Sequence, residues 1–142
     1  MHDNLTAHAS ITLNVSPARV WQALTTPSEI KQYLFGTDTT SDWKEGGTIT
    51  YTGEWEGKKY EDKGEIVEMV PNKLLHTTYF SSMSGKEDKP ENYSNVIYRI
   101  EPAGKQTVLT ITQDNNASEQ SRDHSQANWT MVLQSLKKLV EK

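Results

Sequence analysis

The spacing of apolar residues changes twice along this chain, and the order of those changes restricts the folds that it can adopt. Residues 7–15 alternate between apolar and polar side chains, which is typical of a half-buried strand. From residue 37 to residue 114 the period is again two, with β-branched and aromatic residues between clusters of turn residues. From Trp129 onward, apolar residues recur at the i, i+3, i+4 and i+7 spacing of an amphipathic helix. A run of strands closed by one long helix predicts an α+β fold.

Two short helices are predicted between the first strand and the remaining strands. Ser16 suits an N-cap and Pro17 the first helical position of a helix over residues 17–25. Thr26 and Glu29 have the spacing of a capping box, so we expect the Thr26 side chain to cap a second helix. Gly36 ends that helix.

The long middle region predicts five or six antiparallel strands. With the first strand they form a curved sheet of about six to seven strands, and the length of 142 residues suits a single domain spanning 1–142. A straight helix cannot fill the concave face of a curved sheet along its whole length, so we expect a cavity between the two. The predicted strands in the middle region cover residues 39–43, 48–56, 60–70, 74–81, 93–101 and 106–114.

Charge and hydropathy exclude two classes of partner. The 15 basic and 19 acidic residues give a net charge of −4, and no basic cluster is longer than two residues, as at Lys137-Lys138, so a nucleic-acid partner is not expected. No apolar stretch approaches the roughly 18 residues of a membrane span, so membrane insertion is not expected either. The first residues lack the pattern of a secretory signal, and we therefore expect a cytoplasmic location.

The sequence contains no complete set of catalytic or metal-binding groups. With no cysteine, thiolate metal sites and cysteine nucleophiles are excluded, and the four histidines lack metal-ligand spacing. We therefore predict no metal, no cofactor and no catalytic residue. An enzyme would need acid and base groups inside the cavity, for which the sequence offers only His76, Tyr51, Tyr98 and Glu68.

Four segments carry a resemblance that spans nearly the whole chain. They resemble the signature blocks of the SRPBCC (START-like) superfamily and, within it, of bacterial proteins related to the C-terminal domain of the activator of heat-shock-protein-90 ATPase. The resemblance implies a helix-grip fold, with a curved antiparallel sheet around a long C-terminal helix and two short helices after the first strand. It also implies a lipophilic cavity. The segments are residues 16–25 (SPARVWQALT), 41–47 (SDWKEGG), 64–68 (GEIVE) and 128–137 (NWTMVLQSLK).

The aromatic and apolar residues expected around that cavity are the candidate ligand site. Aromatic rings would give contact area and tyrosine hydroxyls would orient a ligand, although the same residues would also serve as an ordinary core. His76 belongs to the site only if its side chain points inward, and otherwise it is a structural histidine. The predicted site residues are Trp21, Tyr33, Ile49, Tyr51, Trp55, Ile66, His76, Tyr98, Trp129 and Leu133.

Three functions fit these observations. The first is a small protein that binds or senses a lipophilic small molecule in the cavity. The second, which the narrower resemblance implies, is a co-chaperone-like regulator in the stress response that binds a chaperone-type ATPase. The third is an enzyme of cyclase or hydrolase type that uses the cavity. For all three we expect a monomer or a weak homodimer.

Overall fold

The computed structural model describes residues 5–81 and 85–142, except for the side chain of Trp55. The described part contains one antiparallel sheet in the order β1-β7-β6-β5-β4-β3-β2, three helices and a single 3-10 turn at Pro90–Asn92. The predicted α+β, helix-grip fold is confirmed. The elements are β1 (Leu5–Leu13), α1 (Pro17–Thr25), α2 (Pro27–Tyr33), β2 (Asp38–Ser41), β3 (Thr48–Trp55), β4 (Lys58–Val70), β5 (Leu74–Tyr79), β6 (Ser94–Ala103), β7 (Gln106–Asn116) and α3 (Glu119–Val140).

The two short helices begin in different ways. The Ser16 hydroxyl accepts a hydrogen bond from the Arg19 backbone N–H at 3.3 Å, as an N-cap should. Thr26 occupies the N-cap position of α2, but its side chain makes no capping bond. The expected capping box is therefore wrong. Glu29 instead forms an ion pair with Arg19 at 2.6 Å, which ties α2 to α1.

The sheet bends along β4, the longest strand. Residues 58–65 of β4 pair with β3, whereas residues 66–70 pair with β5. At Gly64 a Cβ atom would lie 1.8 Å from the backbone oxygen of Thr78, so no residue with a side chain fits there without moving the backbone. Glycine at this position lets the two strands approach closely enough for the sheet to curve.

The long helix α3 closes the concave face. Its buried residues, Val132, Leu133, Leu136 and Val140, form one stripe, and its first turns are polar. The backbones of α1 and α3 pack closely on strands β1, β6 and β7, which we call the helix side of the sheet. We call β2–β5 the far side. Helix α2 bridges the two, since it contacts both α3 and β2.

Candidate ligand-binding cavity

A small cavity lies between α2, α3 and the inner face of the sheet. Its volume is about 20 Å³, enough for a water molecule, whereas pockets for small organic ligands have roughly 300–1,000 Å³. The expected cavity is therefore present but almost filled by side chains. The lining residues are Leu24, Ile30, Tyr33, Leu34, Ile49, Tyr51, Leu75, Tyr98, Ile111, Trp129, Val132 and Leu136.

The structure brings half of the predicted site residues together at this cavity, namely Tyr33, Ile49, Tyr51, Tyr98 and Trp129. Three others, Trp21, Ile66 and Leu133, belong to the surrounding core. The side chain of Trp55 lies outside the described residues. Ligand binding by any of these residues stays a prediction.

His76 does not point into the cavity. Its neighbours Leu75 and Thr77 are buried on the inner face, so the alternation of a strand places His76 on the outer face. Its Nε2 atom lies 2.9 Å from Oδ1 of Asn95. The inward orientation considered for His76 is wrong. The exposed Glu68 pairs with His76 in the β4–β5 register, so neither supplies an acid or base to the cavity.

Trp129 and Tyr98 form the junction between α3 and the sheet. The edge of one ring meets the face of the other, with centroids 6.0 Å apart and planes at 90°. The Trp129 Nε1–H group donates a hydrogen bond to Oε1 of Gln113 at 2.8 Å. These contacts place Trp129 of α3 against β6, which carries Tyr98, and β7, which carries Gln113.

Three tyrosine side chains converge on the cavity. Burial raises the pKa of Tyr33, Tyr51 and Tyr98, and the proximity of Tyr98 raises the pKa of the other two further. All three hydroxyls are therefore neutral at ordinary pH and able to donate hydrogen bonds. The Tyr33 hydroxyl donates to the Ala23 carbonyl at 2.9 Å, which ties α2 to α1.

Asp62 is a buried carboxylate on the inner face of β4 that is not among the predicted site residues. Only 8% of its surface is exposed, and the Tyr79 hydroxyl donates a hydrogen bond to its Oδ2 atom at 2.6 Å. Burial, followed by the bond to Asp62 and its charge, raises the pKa of Tyr79. The period of two contained the signal, because Asp62 is four residues from the buried Ile66 and therefore shares its face.

Further polar side chains lie near Asp62 on the inner face of the far side. Thr39 of β2 pairs with Tyr51 of β3, and Tyr51 pairs with Asp62 of β4, so the three side chains form one row. The hydroxyls of Thr39 and of Thr77 on β5 are buried without a hydrogen-bond partner. We call Thr39, Tyr51, Asp62, Thr77 and Tyr79 the polar end of the inner face.

Two kinds of feature are absent from the residues that the structure describes. Within residues 5–81 and 85–142, no three His, Asp or Glu side chains are grouped so that they could hold a metal ion. None of the helices in that part of the chain is both long enough and apolar enough to span a bilayer.

The model of the family "Activator of Hsp90 ATPase homolog 1-like protein" matches residues 14–141 of this chain. A solved structure of a protein from Cytophaga hutchinsonii is 42% identical, with a TM-score of 0.87, over 99% of this chain and 97% of that protein. No match was found among curated proteins.

More distant solved structures share the fold. The Aha1 dimer from Colwellia psychrerythraea is 21% identical, with a TM-score of 0.72 over 96% of both chains. A protein from Chromobacterium violaceum is 20% identical, with a TM-score of 0.77 over 96% of this chain and 97% of that one.

Proposed function

Because the chain belongs to the family of activator of Hsp90 ATPase homolog 1-like proteins, we propose that it binds a lipophilic small molecule of fused-ring or acyl type in the cytoplasm. The observation that carries the proposal is the lining of the cavity. Apolar side chains provide most of it, and three tyrosines and Trp129 provide the rest. This combination of apolar surface and few hydroxyls suits an apolar ligand with one or two oriented polar atoms.

The cavity must widen for this ligand to enter, since it now has room for little more than a water molecule. Helix α2 is the wall best suited to move. It is only seven residues long, it lacks a side-chain cap at its N-terminus, and it contributes Ile30 and Tyr33 to the lining, with Leu34 directly after it. After it, Phe35 and Gly36 both have positive φ angles, of 53° and 75°. This conformation is unfavourable for a bulky residue such as Phe35, so its release would offset part of the work of opening.

The driving force for binding would be burial of apolar ligand surface, at about 25 cal/mol per Å². Opening the cavity separates side chains that are already packed, which subtracts from that gain. We therefore expect modest affinity, with dissociation constants in the micromolar range rather than below it, about −8 kcal/mol or weaker.

The test is a titration of the folded protein with fatty acids, flavonoids and steroids, followed by tryptophan emission and by the melting temperature. A bound ligand should change the emission of Trp129 and raise the melting temperature. Trp129→Phe should weaken binding and remove the emission change. The matched control is Trp21→Phe, which alters a tryptophan outside the cavity lining and should leave both signals in place. A panel that changes neither signal in the unmodified protein would remove the basis of this proposal.

A second proposal is regulation of a chaperone-type ATPase in the stress response, which the family description supports. Two large apolar side chains favour it, because Phe35 is 61% exposed and Met131 is 50% exposed. Such residues serve as anchors in protein interfaces. The test measures ATP hydrolysis by an Hsp90-type protein with and without this chain. Stimulation that Phe35→Ala reduces would support the proposal, and an unchanged rate would contradict it.

A further inference from the structure

A chain of hydrogen-bonded side chains crosses the outer face of the sheet from β7 to β5. Both carboxylate oxygens of Asp114 on β7 accept hydrogen bonds from Asn95 on β6, one from its backbone N–H at 2.6 Å and one from its side-chain amide at 3.0 Å. The amide nitrogen of Asn95 therefore faces Asp114, which leaves the amide oxygen Oδ1 for the next strand. That oxygen lies 2.9 Å from Nε2 of His76 on β5.

This chain fixes the tautomer of His76. An amide oxygen can only accept a hydrogen bond, so Nε2 of His76 must carry the hydrogen that it donates to Asn95. In a neutral imidazole ring the other nitrogen, Nδ1, then has the free lone pair. His76 is half-buried, and within residues 5–81 and 85–142 its Nδ1 atom has no hydrogen-bond partner. The ring is therefore held by one nitrogen and can bind through the other.

A carboxylate shares the outer face with this histidine. Glu68 of β4 is directly opposite His76 in the β4–β5 register, which places the two Cβ atoms about 4.5–5.5 Å apart. The register shifts between Ile66 and Glu68. Without that shift Glu68 would point inward like Ile66, two residues before it, so the irregularity is what brings its side chain to the outer face. Glu68 is exposed, and its carboxylate has no hydrogen bond or ion pair to any residue that the structure describes.

We propose that Nδ1 of His76 and the carboxylate of Glu68 bind a divalent transition-metal ion such as Zn²⁺. Imidazole nitrogen and carboxylate oxygen are common Zn²⁺ ligands, at about 2.0–2.2 Å. Asn95 and Asp114 provide the outer partner that a metal-binding histidine usually has, because they fix the ring and its tautomer. No third His, Asp or Glu of the described residues completes the group, so water or a donor from another molecule fills the remaining positions. The ion is therefore exchangeable rather than structural.

The experiment is a titration of the ¹⁵N-labelled full chain with ZnCl₂ at pH 7.5, followed by NMR. Long-range ¹H–¹⁵N correlations report the tautomer and the metal binding of each histidine ring separately. In the free protein we expect His76 to be the Nε2–H tautomer. Zn²⁺ should then shift the Nδ1 signal of His76 and the amide signal of Glu68. The same concentration of Mg²⁺, which prefers oxygen ligands, should shift neither signal.

Three variants test the assigned roles. Asn95→Leu removes the positioning partner, so Zn²⁺ should bind His76 about 10–100-fold more weakly and the ring should populate both tautomers. Glu68→Gln removes a metal ligand and should weaken binding at least as much. The matched control is His8→Gln, which removes an exposed histidine from the same face of the sheet that is opposite Thr112 rather than a carboxylate. It should leave the affinity at His76 unchanged. Circular dichroism verifies folding, and if Asn95→Leu does not fold, the exposed Glu68→Gln still decides the question.

The outcomes are distinct. Zn²⁺ that causes no shift at His76, or an Nδ1–H tautomer in the free protein, would overturn the proposal, because Nδ1 would then not be a ligand. Equal weakening by His8→Gln and Glu68→Gln would also overturn it, since Zn²⁺ would then associate with surface histidines in general. An unchanged tautomer and affinity in Asn95→Leu would contradict the positioning role of Asn95. None of these results bears on the cavity, which lies on the opposite face of the sheet and is tested by its own titration.

Discussion

The helix side and the far side of the sheet have the same strand geometry but different inner faces. On the helix side, the buried residues are mostly aliphatic, as Leu13, Ile100 and Leu109 show, and they pack under α1 and α3. On the far side, the inner face carries a carboxylate, two half-buried tyrosines and two unpartnered hydroxyls. A covering helix excludes water, so polar groups beneath it would lose hydrogen bonds. Where no long helix covers the sheet, polar groups are retained on the inner face, and a polar binding site can form there.

The largest expected effect comes from the helix side. Leu136 is completely buried on α3, so Leu136→Ala should reduce the free energy of unfolding by about 2–5 kcal/mol through lost burial and the cavity left behind. Met131 lies on the same helix but is 50% exposed, and Met131→Ala should change stability by no more than about 0.5 kcal/mol. Urea unfolding of both variants tests this. Similar losses would mean that α3 does not present one buried stripe to the sheet.

On the far side, we expect the largest loss of stability from a substitution at Gly64, where the sheet bends. Gly64→Ala places a methyl group 1.8 Å from a backbone oxygen, which the strand can relieve only by moving. We expect a loss of about 3 kcal/mol, at the upper end for overpacked sites. In Gly53→Ala the methyl group would meet the end of the Tyr60 side chain at 2.4 Å, and that side chain can rotate away. Its loss should be about 1 kcal/mol. Equal melting temperatures for the two variants would contradict this account of the curvature.

Tyrosines of both sides should make the protein sensitive to alkali. Burial raises the pKa of Tyr33 and Tyr98 near the helix side and of Tyr51 and Tyr79 on the far side above the value of about 10 expected in the unfolded chain. Their stabilisation is complete below pH 10, and it is lost as the pH rises from there toward the folded pKa values. Each tyrosine then lowers stability by up to about 1.4 kcal/mol per pH unit.

Absorbance at 295 nm and urea midpoints between pH 8 and pH 12 measure this effect. Tyr98→Phe and Tyr51→Phe should each flatten the alkaline slope, one from each side of the sheet. A slope that only one of the two variants flattens would show that the sides differ in burial as well as in polarity. Ionisation of all six tyrosines near pH 10 without unfolding would refute the prediction.

The smallest expected changes in stability compare a buried hydroxyl that has a hydrogen-bond partner with one that has none. The buried Thr107 on the helix side donates a hydrogen bond to the Val15 carbonyl at 2.7 Å, so Thr107→Val should reduce stability by about 1–2 kcal/mol. Thr77→Val on the far side removes a hydroxyl that has no partner and should be neutral or slightly stabilising. Thermal melts of the two variants provide the comparison. A comparable loss in Thr77→Val would indicate that its hydroxyl does have a partner in solution.

The periodicity of the sequence determined the type and order of the elements. The alternation over residues 7–15 became β1, and the stripe from Trp129 to Val140 became the buried face of α3. Ser16 and Pro17 marked the start of α1 correctly. These predictions succeed because each depends on residues that are close together in the sequence. The local spacing of those residues decides which of them share a face.

Only the tertiary structure decided which face was the inner one and how much space it enclosed. His76 and Asp62 are both polar residues in alternating strands, yet His76 lies outside and Asp62 inside, because pairing with distant strands orients each strand. Glu29 forms an ion pair with Arg19 of the neighbouring helix α1, a partner that the spacing of Thr26 and Glu29 did not indicate. The cavity is small because side chains from seven elements (three helices and four strands) fill it together. Packing of that kind depends on contacts between residues far apart in the chain, which spacing along the sequence does not encode.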